Sequence, residues 1–232
     1  MHNRYLPRID AATKKLLETV SRLDDDAASG PSLLPDWDRS MVIVHLSANA
    51  DGVRRAVEAA ARGEAGEVYP GGKSARDGEI EAGRALPARE LQARLGDSCE
   101  QLWSALEAAP DEVWGSPAIG ISGEVLVGAG LVVARLREVE VHHVDLAYGY
   151  APDDWPFAWV VEEMERAMLD LPARLPTGIA VVLTASDAGQ HWVAGSGSSL
   201  EISGTTGELF AWVTGRASHV GGLVAPVLRP WR

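Results

Sequence analysis

Apolar residues recur at three- and four-residue intervals through about the first 150 positions, then give way to short β-branched runs. Ile9, Thr13, Leu16, Val20 and Leu23 place one stripe on a first helix, which Gly30-Pro31 ends. A second helix follows Pro35, with Asp38 or Ser40 as its N-cap. Its stripe runs Val42, Leu46, Val53, Val57, and Gly63 stops it. Gly63 to Gly83, rich in glycine and charge, reads as a loop with room for one short helix. A third helix opens at Pro87 and carries Leu91, Leu95, Leu102 and Leu106 on one side. Pro110 and Pro117 bracket a connection containing Trp114, and a fourth helix runs from near Ser122 to about Ala147. Four such helices predict an antiparallel bundle over residues 1–150.

Tyr148 to Pro156 reads as a linker, and residues 151–232 form a small α+β domain. One helix spans roughly Phe157 to Leu171, before Pro172. Ile179–Thr184, His191–Val193 and Ser199–Ser203 read as strands separated by Ser186–Gly189 and Gly195–Gly197. Thr205 with Glu208 three residues on is a capping box for a last helix to Thr214. The fold class is therefore α+β.

Composition narrows the function. Lys and Arg number 21 against 33 Asp and Glu, a net charge of -12 in 232 residues. Such a surface repels phosphate backbones and anionic lipid, which argues against nucleic-acid and membrane partners. The single cysteine, Cys99, excludes an internal disulfide framework and a multi-thiolate zinc site, and suits a reducing cytoplasm. The N-terminus lacks an apolar core of signal-peptide length, and the longest apolar stretch, Val125 to Ala134, is too short to span a bilayer. The expected location is cytoplasmic. No heptad seam marks an oligomer, which leaves a monomer or a weak homo-oligomer.

Histidine placement carries the chemistry. His142 lies four residues after Glu138 on the fourth helix, so both side chains leave one face a turn apart and reach one metal ion. His45, flanked by Val42, Ile43, Val44 and Leu46, is the best third candidate, because a polar ring among apolar neighbours needs a partner. Two imidazoles and a carboxylate on bundle helices make a zinc shell with an open position. The competing reading is a solvated Glu138–His142 ion pair on a charged face that also holds Arg135, Arg137, Glu140 and His143. Asp145 either orients His142 or offsets Arg137 and faces water. His143 points roughly a hundred degrees from His142 and stays out of that shell. His2, His191 and His219 have no comparable spacing, and His219 falls in a Gly-rich loop. Cys99, between Ser98 and Glu100, lacks an electropositive setting and reads as a bystander, so any thiol chemistry needs an external thiol. Trp37 stands ready to brace the His45 helix.

The segment Leu34-Pro-Asp-Trp-Asp-Arg-Ser-Met-Val-Ile-Val-His-Leu46, with Arg137-Glu-Val-Glu-Val-His-His-Val-Asp-Leu146, resembles the mycothiol-dependent maleylpyruvate isomerase family. That family belongs to the DinB-like four-helix metalloproteins and carries a smaller C-terminal α/β domain, so the resemblance covers nearly the whole chain. It implies zinc on His45, Glu138 and His142, with mycothiol as the thiol cofactor. It also implies an important arginine in a Gly-Arg pair ending a helix, matched here by Gly215-Arg216, as a catalytic group that holds a substrate carboxylate. The family commonly has Gly before the tryptophan, where this chain has Asp36. The implied activity is cis–trans isomerisation of an anionic, electrophilic small molecule. A mycothiol S-transferase and a non-enzymatic ligand-binding member are the alternatives.

Overall fold

The structure, a computed structural model, describes residues 4–121 and 123–230. His2 and the expected helix start at Ser122 lie outside the described residues. Chain contacts divide the protein into one compact unit ending at Tyr150 and a second beginning at Ala151.

The first unit is built on four long helices: α1 (Leu6–Val20), α3 (Arg39–Ala61), α5 (Ala88–Ala108) and α6 (Gly128–Asp145). A short α2 (Asp25–Ala28) leads into α3, and α4 (Gly72–Gly83) packs on α3. The expected stripes form the core: Ile9, Leu16, Val20, Val42, Leu46, Val53, Val57, Leu91, Leu95, Leu102 and Leu106 are all buried. Asp38 is the N-cap of α3, its carboxylate accepting from the Met41 backbone N–H at 3.0 Å. Pro87 stands one position earlier than expected, as the N-cap residue of α5. At this position too its missing N–H leaves no helical bond unmade.

Two stretches depart from the expected elements. The segment read as a loop holds the twelve-residue α4, held to the start of α3 by Arg84, which bonds the Asp38 carboxylate at 2.9 Å and the Asp36 carbonyl at 3.0 Å. The first turn expected of the fourth helix is a strand, β3 (Val125–Val127). It pairs antiparallel with β2 (Pro117–Ile119), which pairs in parallel with β1 (Gly66–Glu67). Val-Leu-Val is a poor helix start and a good strand. The helix begins at Gly128, a position that requires glycine because a Cβ there would meet the Val113 carbonyl at 2.1 Å.

In the second unit α7 (Phe157–Arg174) runs through Pro172, three residues past its expected end. The last turn holds because Leu171 and Arg174 are buried and Arg174 Nε donates to the Arg229 carbonyl at 3.0 Å. Strands β4 (Ile179–Ala185), β5 (His191–Gly195) and β6 (Ser198–Gly204) form a sheet in the order β5-β4-β6. β4 is antiparallel to β5 and parallel to β6. Val181, Leu183, Trp192, Ala194 and Ile202 supply the buried face. Helix α8 (Thr206–Val213) opens with the Thr205–Glu208 capping box. A hairpin not foreseen in the sequence, β7 (His219–Val220) with β8 (Leu223–Val224), follows it.

Gly52 tests the packing of α3. Glycine inside a helix costs about 1 kcal/mol relative to alanine, yet a Cβ here would lie 2.4 Å from the Val68 carbonyl oxygen. Gly52→Ala is expected to destabilise the protein by about 1 kcal/mol or more, since overpacking outweighs helix propensity. Gly96→Ala in α5, where a Cβ meets nothing within 4 Å, should stabilise it by up to about 1 kcal/mol. Urea unfolding of both variants checks the contrast.

Candidate metal centre

The turn before α3 fixes the first donor. Asp36 has φ +65°, in the left-handed region that favours glycine, and its chain reversal brings Trp37 against His45. The two rings meet edge-on, 5.8 Å apart at 71°. His45 projects from α3 with 6% of its side chain exposed. Glu138 and His142 project from one face of α6, as an i, i+4 pair must.

The three side chains converge. His45 Nε2 lies 2.8 Å from Glu138 Oε2, and His142 Nε2 lies 3.2 Å from the same oxygen. The imidazoles stand 4.6 Å apart at 85°, and one donor atom from each of the three residues falls within 4.8 Å of the others. Behind them, His142 Nδ1 is 2.8 Å from Asp145 Oδ2, whose side chain is wholly buried. Glu138 keeps 31% of its side chain exposed, so the cluster opens to solvent on its carboxylate side.

This geometry suits a divalent ion. Tetrahedral ligands with bonds of about 2.0–2.1 Å stand about 3.3–3.4 Å apart. Of the three donor pairs, His142–Glu138 at 3.2 Å is close to that spacing, His45–Glu138 at 2.8 Å needs to open by about half an ångström, and the two imidazole donors lie within 4.8 Å of each other. An acceptor on the far nitrogen of a histidine fixes its tautomer and ring plane, and Asp145 stands in that position behind His142.

Without a metal, protons hold the cluster together. Burial disfavours a charged His45 and prevails over the Glu138 carboxylate, holding its pKa down. Burial opposes charge on His142 too, but hydrogen bonds to Asp145 and Glu138 win and push it up to about 9. Burial would raise Glu138, yet the two imidazoles hold it well below the ordinary carboxylate range.

The remaining sequence candidates separate clearly. Of the residues read as a charged exposed face, Arg135, Glu140 and His143 are buried and Arg137 is half-buried; Asp145 is buried too, against His142 rather than facing water. Arg135 donates to the Leu46 carbonyl at 2.9 Å and to Asn49 Oδ1 at 2.8 Å. His143 turns away, with Nε2 2.8 Å from Thr19 Oγ1 and its ring stacked on Tyr150. Cys99, read as lacking an electropositive setting, is buried against the Arg135 guanidinium, which donates to its sulfur at 3.4 Å; burial still outweighs that cation and holds the thiol pKa up. Arg216 lies in the second unit, after Gly215 ends α8 with φ +82°, and donates to the Thr214 carbonyl at 2.6 Å. His191 and His219 are exposed. Sequence reasoning missed Asn49, Tyr69 and Arg76 near the cluster. Asn49, four residues after His45 on α3, was open to detection by spacing; the other two fall in the segment read as loop.

Comparison with known proteins agrees with this architecture. The family model described as mycothiol maleylpyruvate isomerase N-terminal domain matches residues 9–147. The crystal structure of the mycothiol-dependent maleylpyruvate isomerase superposes with a TM-score of 0.90 at 22% identity, covering 100% of this chain and 97% of that one. The structure of a histidine-to-alanine mutant of that enzyme gives 0.89 at the same identity and coverage. No curated protein sequence matches the chain.

The proton-held cluster has a pH signature. His142 contributes its full stabilisation to the metal-free protein below about 6.5, and loses it as pH rises through about 9. Glu138 contributes above its ordinary value of 4.5 and loses its contribution as pH falls through its depressed pKa. Metal-free protein is therefore expected to lose stability between about pH 6.5 and 9. Asp145→Asn should flatten that loss, and denaturant unfolding across the pH range checks both.

Proposed function

The chain belongs to the mycothiol maleylpyruvate isomerase family, and we propose that it is a zinc-dependent, mycothiol-using isomerase of the maleylpyruvate type. The observation that carries this reading is the meeting of His45, Glu138 and His142 about one point, with buried Asp145 behind His142. Two nitrogens and one carboxylate oxygen are a donor set zinc accepts with a position left open. Bound there, zinc supplies a site where a thiol sulfur is held as thiolate at neutral pH.

Each residue then has a task. His45 and His142 present Nε2, and Glu138 presents Oε2, which two imidazoles already share. Asp145 accepts the His142 Nδ1 proton and so keeps Nε2 as the ligating nitrogen. Trp37 walls the His45 ring and restricts its rotation. The substrate is a cis-enoyl diacid whose activated double bond takes up the sulfur, rotates as a single bond, and releases the sulfur with its electron pair as the trans product forms. Arg216 holds one substrate carboxylate through its planar fork. The capping box of α8 and the Arg216 N–H bond to the Ala211 carbonyl at 2.7 Å fix the backbone that carries it. Cys99, buried with its pKa raised, is unsuited to act as the nucleophile, which agrees with a thiol brought from outside.

Metal analysis and thiol accounting test the reading. His45→Ala and Glu138→Ala are expected to lose bound zinc; full retention in both rejects the ligand set. Isomerase turnover should regenerate free thiol, whereas consumption in proportion to product identifies an S-transferase. Arg216→Ala should raise KM about tenfold at unchanged zinc content, the loss of one charge-assisted contact. Cys99→Ser should keep its turnover.

A further inference from the structure

Helix α4 is seated on α3 beside the metal cluster. A Cβ at Gly83 would collide with the Val44 side chain, one residue before His45, so the two helices touch there. Arg76 lies seven residues earlier on the same face of α4, two turns away. Its side chain is 19% exposed, and its guanidinium carbon stands 6.0 Å from the Trp37 ring that abuts His45. Arg76 Nε donates to Asp77 Oδ1 at 3.1 Å. Asp77 also pairs with Lys73, so this stretch of α4 keeps excess positive charge in a strongly acidic protein. Neither Nη nitrogen of Arg76 has a hydrogen-bond acceptor among the described residues.

A second donor is set by a chain of hydrogen bonds. Arg135, buried and always charged, can only donate, so Asn49 must turn its oxygen toward it. Asn49 Nδ2 therefore faces Tyr69 and donates to its hydroxyl oxygen at 3.4 Å. Tyr69 accepts there, and its own hydroxyl proton has no acceptor among the described residues. Trp37 links Arg76 to the His45 ring, and Asn49, one turn after His45 on α3, ties Tyr69 to the same helix. Burial pushes the Tyr69 pKa up to about 12, so its proton is present throughout the neutral range.

The two Nη nitrogens of a planar cationic fork and a hydroxyl donor, none with an acceptor among the described residues, fit a carboxylate. We propose that Arg76 and Tyr69 form a carboxylate-binding subsite beside the metal cluster, for a carboxylate of the cis-enoyl diacid. This rests on the substrate class assigned above, not on the thiol step.

Binding without turnover tests it. Maleate, a cis-dicarboxylate, is titrated calorimetrically into zinc-loaded protein with no thiol present, and zinc content is measured for every variant. The intact protein should bind maleate. Arg76→Met should raise Kd about tenfold and Tyr69→Phe about threefold, at unchanged zinc. Arg76→Lys, which keeps the charge but not the fork, should fall between Arg76→Met and the intact protein. No maleate binding by the intact protein, or equal affinity in Arg76→Met, overturns the proposal. Arg76-dependent binding by a protein that shows no thiol-dependent isomerisation upholds the subsite and defeats the catalytic reading, so the two failures are distinct.

Discussion

A guanidinium sealed inside a helical bundle has to find oxygen acceptors in fixed places, and Arg135 imposes that demand on the whole first unit. Its side chain is buried, and it bridges from α6 to the Leu46 carbonyl and Asn49 on α3. Arg39, half-buried at the start of α3, reaches to the Leu146 carbonyl at 2.6 Å and the Ala27 carbonyl at 2.9 Å. Two arginines donating in opposite directions leave the helices little freedom to slide, because any shift strips a buried charge of its acceptors. His45 lies next to Leu46, and Glu138 lies one turn from Arg135. The register that satisfies the arginine is the register that brings imidazole and carboxylate together.

What the sequence made legible follows from how local each signal is. The Glu138–His142 pair needs only helical periodicity, and the Asp38 and Thr205 caps need only neighbours within one turn. Asp145 against His142 was visible as one of two readings, and burial decides between them. The strands of the second unit appear with their ends moved by one or two residues. Non-local features were hidden. Arg135, Glu140 and His143 look like a solvated face because their partners, Leu46, Tyr150 and Thr19, come from elsewhere along the chain or from beyond the helix. Helix α4 was obscured because its inward side consists largely of Ile80 and Gly83, too little for an apolar stripe. Arg76 was lost with it. The first turn of α6 was misread because apolar periodicity does not register that Val125–Val127 has a strand waiting at Pro117–Ile119.

The buried polar groups of α6 fall into two sets with different electrostatic characters. Glu140 takes a hydrogen bond from the Tyr150 hydroxyl at 2.6 Å, and burial raises its pKa toward the neutral acid. His143 is matched to the Thr19 hydroxyl and a stacked ring. These hydrogen bonds tie both side chains to the neutral hydroxyls of Tyr150 and Thr19. On the neighbouring face, two imidazoles share one carboxylate oxygen and a second carboxylate stands behind. That set cannot be neutralised by hydrogen bonding alone.

Counting charge shows what the second set lacks. With His45 neutral and His142 protonated between the carboxylates of Glu138 and Asp145, these four side chains sum to one negative charge at neutral pH. Removing the His142 proton leaves two negative charges, and a divalent cation at the shared point brings the sum to zero. Such a cation would be held by Glu138 and the two imidazoles in place of the proton, with Asp145 remaining as the acceptor for His142 Nδ1. A purely structural ion pair has no need for a second imidazole aimed at an oxygen already taken, nor for a buried carboxylate behind the first. Both are what a metal ligand set requires, and they are the physical reason to regard α6 as the chemical centre of the first unit rather than only a wall of its bundle.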